Sequence, residues 1–62
     1  MKRVDLIHQL GEMGCVLIRH GGKHDWFQNP LTKMCQSVPR HRELKEYTAR
    51  SIIKKLDNEY RG

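Results

Sequence analysis

Apolar and polar positions change rhythm four times along this chain. Between Lys2 and Met13, Leu6, Leu10 and Met13 recur at helical spacing with Ile7 alongside. Lys2, Arg3, Asp5, Gln9 and Glu12 take the opposite side, so the segment predicts a short amphipathic helix. Gly14 stands where a left-handed C-terminal cap belongs. Residues 15–20, CVLIRH, are apolar and β-branched and predict a strand. Gly21-Gly22 signals a turn, and residues 24–29 form the returning strand. Asn29-Pro30 opens a second turn that closes near Thr32-Lys33, and Met34 to Val38 is a third strand that Pro39 ends. From about Leu44 to Leu56 the helical rhythm returns, with Ala49, Ile52, Ile53, Leu56 and Tyr60 on one stripe. Thr48 is a plausible cap if that helix starts late.

The expected architecture is α+β. It runs helix-strand-strand-strand-helix, a three-stranded antiparallel meander with both helices on one face, since each helix has one apolar stripe to bury. At 62 residues the chain is expected to be one domain, residues 1–62, with a thin core. No repeat, linker or low-complexity tract interrupts it.

Composition adds a charge argument. The chain is 37% hydrophobic and carries a formal net charge of +5, a balance that favours an anionic partner, most simply a nucleic acid. Two cysteines, Cys15 and Cys35, do not make a disulfide framework, and both are expected to be small apolar fillers facing the core. Met1-Lys2-Arg3 is followed by VDLIH, not by the apolar run of a signal peptide. No segment approaches the ~20 apolar residues that span a bilayer. The cytoplasm, without membrane association, is the simplest expectation. Four histidines and two cysteines raise the question of zinc, but their spacings do not match finger or ribbon patterns, and no metal is expected.

One series of short motifs points further. Gly22-Lys23-His24 is followed in order by Asn29-Pro30, Val38-Pro39-Arg40-His41, Glu43-Leu44, Thr48-Ala49-Arg50-Ser51-Ile52 and Leu56. No single piece is diagnostic, but the series in this order and spacing resembles the HicA toxins of bacterial and archaeal toxin–antitoxin pairs over nearly the whole chain. The resemblance implies a fold similar to double-stranded-RNA-binding domains. It implies a ribosome-independent endoribonuclease that cleaves mRNA without metal or small-molecule cofactor, a stress-response toxin held inactive by a cognate HicB antitoxin. It also implies that His24, in the Gly-x-His motif, is the catalytic residue. Many members have serine before that histidine, where this chain has Lys23.

The chemistry fits those residue types. RNA cleavage needs the 2′-hydroxyl deprotonated as it attacks phosphorus, and an imidazole, titrating near ~6.5, suits that task. Fixed cations offset the charge that develops on the phosphate. Lys23 and Arg40 are the expected electrostatic helpers, with Gly22 leaving room for the RNA backbone and His41 binding phosphate or capping the second helix. Apart from the resemblance, a histidine at a turn is usually only solvated. His8 and His20 are expected to be structural or solvated. One of Trp26 and Phe27 must face the helices, and the other is free to stack a base or meet a protein partner. Lys45, Arg50, Lys54 and Lys55 form a solvated helix face, a phosphate-binding extension or an antitoxin dock, which the pattern does not separate. The alternative to a nuclease is a non-catalytic RNA-binding module of the same fold. A third reading is an inactive protein retained as an antitoxin target.

Overall fold

Two leucines one helical turn apart anchor the first element. The computed structural model describes residues 1–60. Helix α1, Arg3–Glu12, turns Leu6 and Leu10 fully inward. It ends in a Schellman arrangement: Gly14 adopts φ +91°, Cys15 N–H donates to Leu10 O at 3.0 Å, and Gly14 N–H donates to Gly11 O at 3.0 Å. The glycine expected at that cap is there for its left-handed backbone.

Strands β1 (Val16–His20), β2 (His24–Gln28) and β3 (Cys35–Pro39) follow, and α2 (Glu46–Lys55) closes the order. The sheet is antiparallel in the order β1-β2-β3. Register places His24 opposite Pro39, Asp25 opposite Val38 and Phe27 opposite Gln36. The core unites Leu6 and Leu10 of α1, Cys15, Phe27, Val38, Leu44, Ala49, Ile52 and Leu56. Full burial of one such leucine contributes about 1.5–3 kcal/mol, so a few of them carry much of so small a fold. This is the α+β arrangement expected from the periodicity.

Differences in detail have physical causes. Helix α2 begins at Glu46, not near Leu44, because the preceding chain is used elsewhere. Lys2 and Glu43 form a β-bridge, Arg3 N–H donates to Arg42 O at 3.0 Å, and Leu44 N–H donates to Met1 O at 2.8 Å. Residues 42–44 are therefore extended, and Leu44 enters the core from that extended segment. Lys45 occupies the N-cap position without a side-chain cap bond, so neither Thr48, inside the helix, nor His41 caps it. Tyr60 lies beyond α2, in a turn where its N–H donates to Asp57 O at 3.1 Å.

Cys15 is buried as expected, and burial pushes its thiol above the ordinary range. Cys35 is not in the core. It lies exposed opposite Gln28, because strand alternation assigns the helix-facing side of β3 to Gln36 and Val38. Strand β1 also departs from its apolar composition: Val16, Leu17 and Ile18 are each nearly half exposed. It is an edge strand with an irregularity between Leu17 and Arg19, while α2 packs on β3 and α1 on α2. No helix among the described residues is long and apolar enough to cross a membrane.

Candidate active site

His24 is the first residue of β2 and is exposed. Alternation puts His24, Trp26 and Gln28 on the open side of the sheet and buries Asp25 and Phe27 toward the helices. Phe27 is thus the core aromatic of the adjacent pair. Trp26 is half-buried on the open side, with the Arg19 guanidinium 5.7 Å from its ring centroid. The imidazole of His24 makes no hydrogen bond to another described residue.

Two depressions are lined by the adjacent residues Lys23 and His24. One, of about 280 Å³, is lined by Gly22, Lys23, Arg40 and His41. The other, of about 250 Å³, is a groove between β3 and α2 where His24 joins Ser37, Pro39, Tyr47, Thr48 and Ser51. The four residues expected to bind RNA therefore share one concavity, and His24 sits on its neighbour. Arg40 N–H donates to Lys23 O at 3.2 Å, so pairing continues past Pro39 and joins the two walls.

The turn itself works differently from the expectation for its glycines. Gly21 N–H donates to His24 O at 2.7 Å, and a Cβ at position 21 would meet that same oxygen at 2.8 Å. Gly21 is thus required by the close approach of the backbone to itself. A Cβ at Gly22 would meet nothing within 4 Å, so the open space there lies in the basic depression.

Asp25, whose role the sequence reading missed, organises the far side of the strand. Its carboxylate accepts from Arg40 Nε at 2.9 Å and Nη2 at 2.7 Å, from Arg3 Nη2 at 2.6 Å, and pairs with His20 Nδ1 at 3.0 Å. Hydrogen bonds from Arg40 first, and His20 second, pull the Asp25 carboxyl down to about 2. Arg3 also donates through Nε to Pro39 O at 3.0 Å, and Arg40 Nη2 to Gly21 O at 3.0 Å. One carboxylate thereby ties the start of α1, the end of β1, the Gly21 turn and the exit of β3 into one end of the sheet. Arg40 is accordingly half a structural residue: its Nε and Nη2 face Asp25, while the side chain still lines the basic depression. Two arginines against one carboxylate leave a net positive charge at this end of the sheet.

A signal for this cluster existed. Position 25 lies two residues from Phe27 on the same face of a strand, and an aspartate aimed under helices requires partners. His20 is structural, as expected, and His8 pairs at the surface with Glu12 at 3.3 Å. Lys45, Arg50, Lys54 and Lys55 are all exposed. Among the described residues, no group of three His, Cys, Asp or Glu side chains is placed to hold a metal ion.

Comparison with known proteins decides the family. Residues 4–57 match the family described as "HicA toxin of bacterial toxin-antitoxin". The chain belongs to the HicA toxin family. Searches of curated proteins and of solved structures returned no match. Membership makes this a protein of toxin–antitoxin systems and implies a cognate antitoxin as its partner. The match takes in all of α1 but Arg3, every other helix and strand, and the residues that line the two depressions beside His24.

Proposed function

We propose that this HicA-family chain is an endoribonuclease that cleaves single-stranded mRNA in the cytoplasm with His24 as its base, and that a HicB-type antitoxin inhibits it. The observation that carries this reading is the placement of the Gly-Lys-His motif. An exposed imidazole without a hydrogen-bond partner among the described residues stands on an open groove, next in the chain to a basic depression. A long polyanion can cross both without entering a closed pocket.

In this reaction His24 takes the proton of a ribose 2′-hydroxyl while the 2′-oxygen bonds to the adjacent phosphorus. The bond from phosphorus to the 5′-oxygen breaks, and that oxygen takes a proton from water. The products are a 2′,3′-cyclic phosphate and a 5′-hydroxyl. Lys23 and the outward edge of Arg40 offset charge on the phosphate oxygens, with His41 beside them and Gly22 leaving the approach open. A positioned base supplies roughly 10²–10⁴-fold, so one histidine makes a real but modest nuclease. The scheme calls on no metal and no cofactor.

Replacing His24 with alanine should abolish cleavage of bulk RNA and growth arrest on induction, with an unchanged circular dichroism spectrum because the side chain is exposed. Full activity in that variant ends the assignment. A wild-type protein that shifts RNA in a gel but leaves it intact would instead be a binding module.

A further inference from the structure

Tyr47 is the second residue of α2 and is 70% exposed. Its ring covers no core, since the buried positions of that helix are Ala49 and Ile52. It stands instead at the groove that contains His24, where its neighbours include the hydroxyls of Ser37, Thr48 and Ser51. Lys45 Nζ lies 6.0 Å from the ring centroid. Among the described residues lining the groove, none is acidic.

An exposed aromatic face, three hydroxyls and a nearby ammonium suit one chemical class: a nucleotide. The ring offers a stacking surface to any base, the hydroxyls can bond ribose or phosphate oxygens, and the cation offsets the backbone charge. The layout gives a direction of travel. A strand whose reacting phosphate lies at His24 has Lys23, Arg40 and His41 on one flank and Tyr47 on the other. Trp26, on the open side of the sheet, is less suited to this task. It is half-buried, and it lines a separate depression with Ile18 and Cys35, away from His24.

We infer that Tyr47 stacks on the base of the nucleotide adjoining the scissile phosphate, in the groove between β3 and α2, with Ser37, Thr48 and Ser51 as its hydroxyl partners. This rests on the ribonuclease reading for its substrate, and it assigns the side of His24 on which the strand continues.

The test separates binding from cleavage with a single-stranded 2′-O-methyl RNA oligonucleotide, whose blocked 2′-oxygen cannot attack. By fluorescence anisotropy, Tyr47→Ala should weaken binding about tenfold, while Tyr47→Phe and Tyr47→Trp retain affinity because the ring, not the hydroxyl, makes the contact. On cleavable RNA, Tyr47→Ala should raise KM by a similar factor with kcat near wild type, since stacking holds substrate and transition state alike. Thermal melts check that the exposed substitution leaves the fold intact. Undiminished affinity in Tyr47→Ala overturns the inference, as does an equal loss in Tyr47→Phe. So does a Tyr47→Ala protein that binds RNA normally but no longer captures its cognate antitoxin, because the ring would then be a protein contact. If wild type binds the oligonucleotide through Tyr47 yet cuts no RNA, the ribonuclease reading fails and the stacking site stands.

Discussion

Asp25 and Asn29 are the two buried polar side chains among the described residues, four positions apart, one near the start of β2 and the other just past its end. They perform parallel tasks with different chemistry. Asp25 gathers Arg3, His20 and Arg40 around one carboxylate. Asn29 uses a neutral amide. Its Nδ2 donates to Leu56 O at 2.8 Å and to the side chain of Asn58, while its Oδ1 accepts from Leu31 N–H at 2.9 Å. The second satisfies a carbonyl at the end of α2 and shapes the β2–β3 turn, where Lys33 takes φ 68° and donates its N–H to Asn29 O at 2.7 Å. The lesson is one of division. The neutral end closes the fold, and the charged end both closes it and leaves surplus positive charge beside His24.

The strongest way to break that contrast is to remove the charge. Asp25→Ala leaves three cationic or titratable side chains converging on nothing, and it should lower the melting temperature at pH 7 more than Asn29→Ala, Gly21→Ala or Gly22→Ala. The pH dependence carries the sign. The Asp25 carboxyl is depressed from 3.8 to about 2 in the folded protein, so its stabilisation is fully present above the ordinary value and is lost as pH falls through about 2. The gap in melting temperature between wild type and Asp25→Ala should therefore narrow between about pH 4 and about pH 2. A gap that does not change with pH would mean that packing, not charge, is what Asp25 contributes.

Asn29→Ala should come next, costing about 1–3 kcal/mol, because it removes the amide's bonds to Leu56 O, Asn58 and Leu31 N–H and leaves the Leu56 carbonyl only the weak Cys15 thiol donor. Chemical denaturation should find that loss equal at pH 7 and pH 3, since no titrating group is removed. Loss of RNA cleavage by the folded Asn29→Ala protein would contradict the division, because this end of β2 is remote from the proposed chemistry.

The smallest contrast lies within the turn beside His24. Gly21→Ala must move the backbone oxygen of His24 and should cost about 1 kcal/mol with a measurable fall in cleavage rate. Gly22→Ala meets open space and should stay within about 0.5 kcal/mol of wild type by the same denaturation assay. Equal effects at the two positions would show that turn flexibility, not the close approach at Gly21, governs the site.

How legible all this was depended on how local the cause is. Leu6 and Leu10 announce α1 because their spacing is the helix period, and Gly14 announces its end because few other residues take that backbone angle. Ala49, Ile52 and Leu56 do the same for α2. The start of α2 is legible only to within a few residues, because the backbone partners of residues 42–44 sit at positions 1–3, far away in sequence. Cys35 was misassigned for a related reason: which residues of a short strand face inward depends on its register with β2, and a one-residue slip reverses every side chain. The basic residues around His24 could be named from motif resemblance, but Arg40 could not be seen to serve Asp25 as well.

The one-dimensional pattern was enough to specify helix, three strands and helix, the turns between them and the Gly-Lys-His segment, because periodicity, capping and turn preferences act over a few neighbouring residues. Tertiary structure alone settled which side chains meet. The partners of Asp25 are 5, 15 and 22 residues away along the chain. Only packing the strands in register and laying both helices over them brings such groups within hydrogen-bond reach, and only then does Tyr47 come to share a groove with His24.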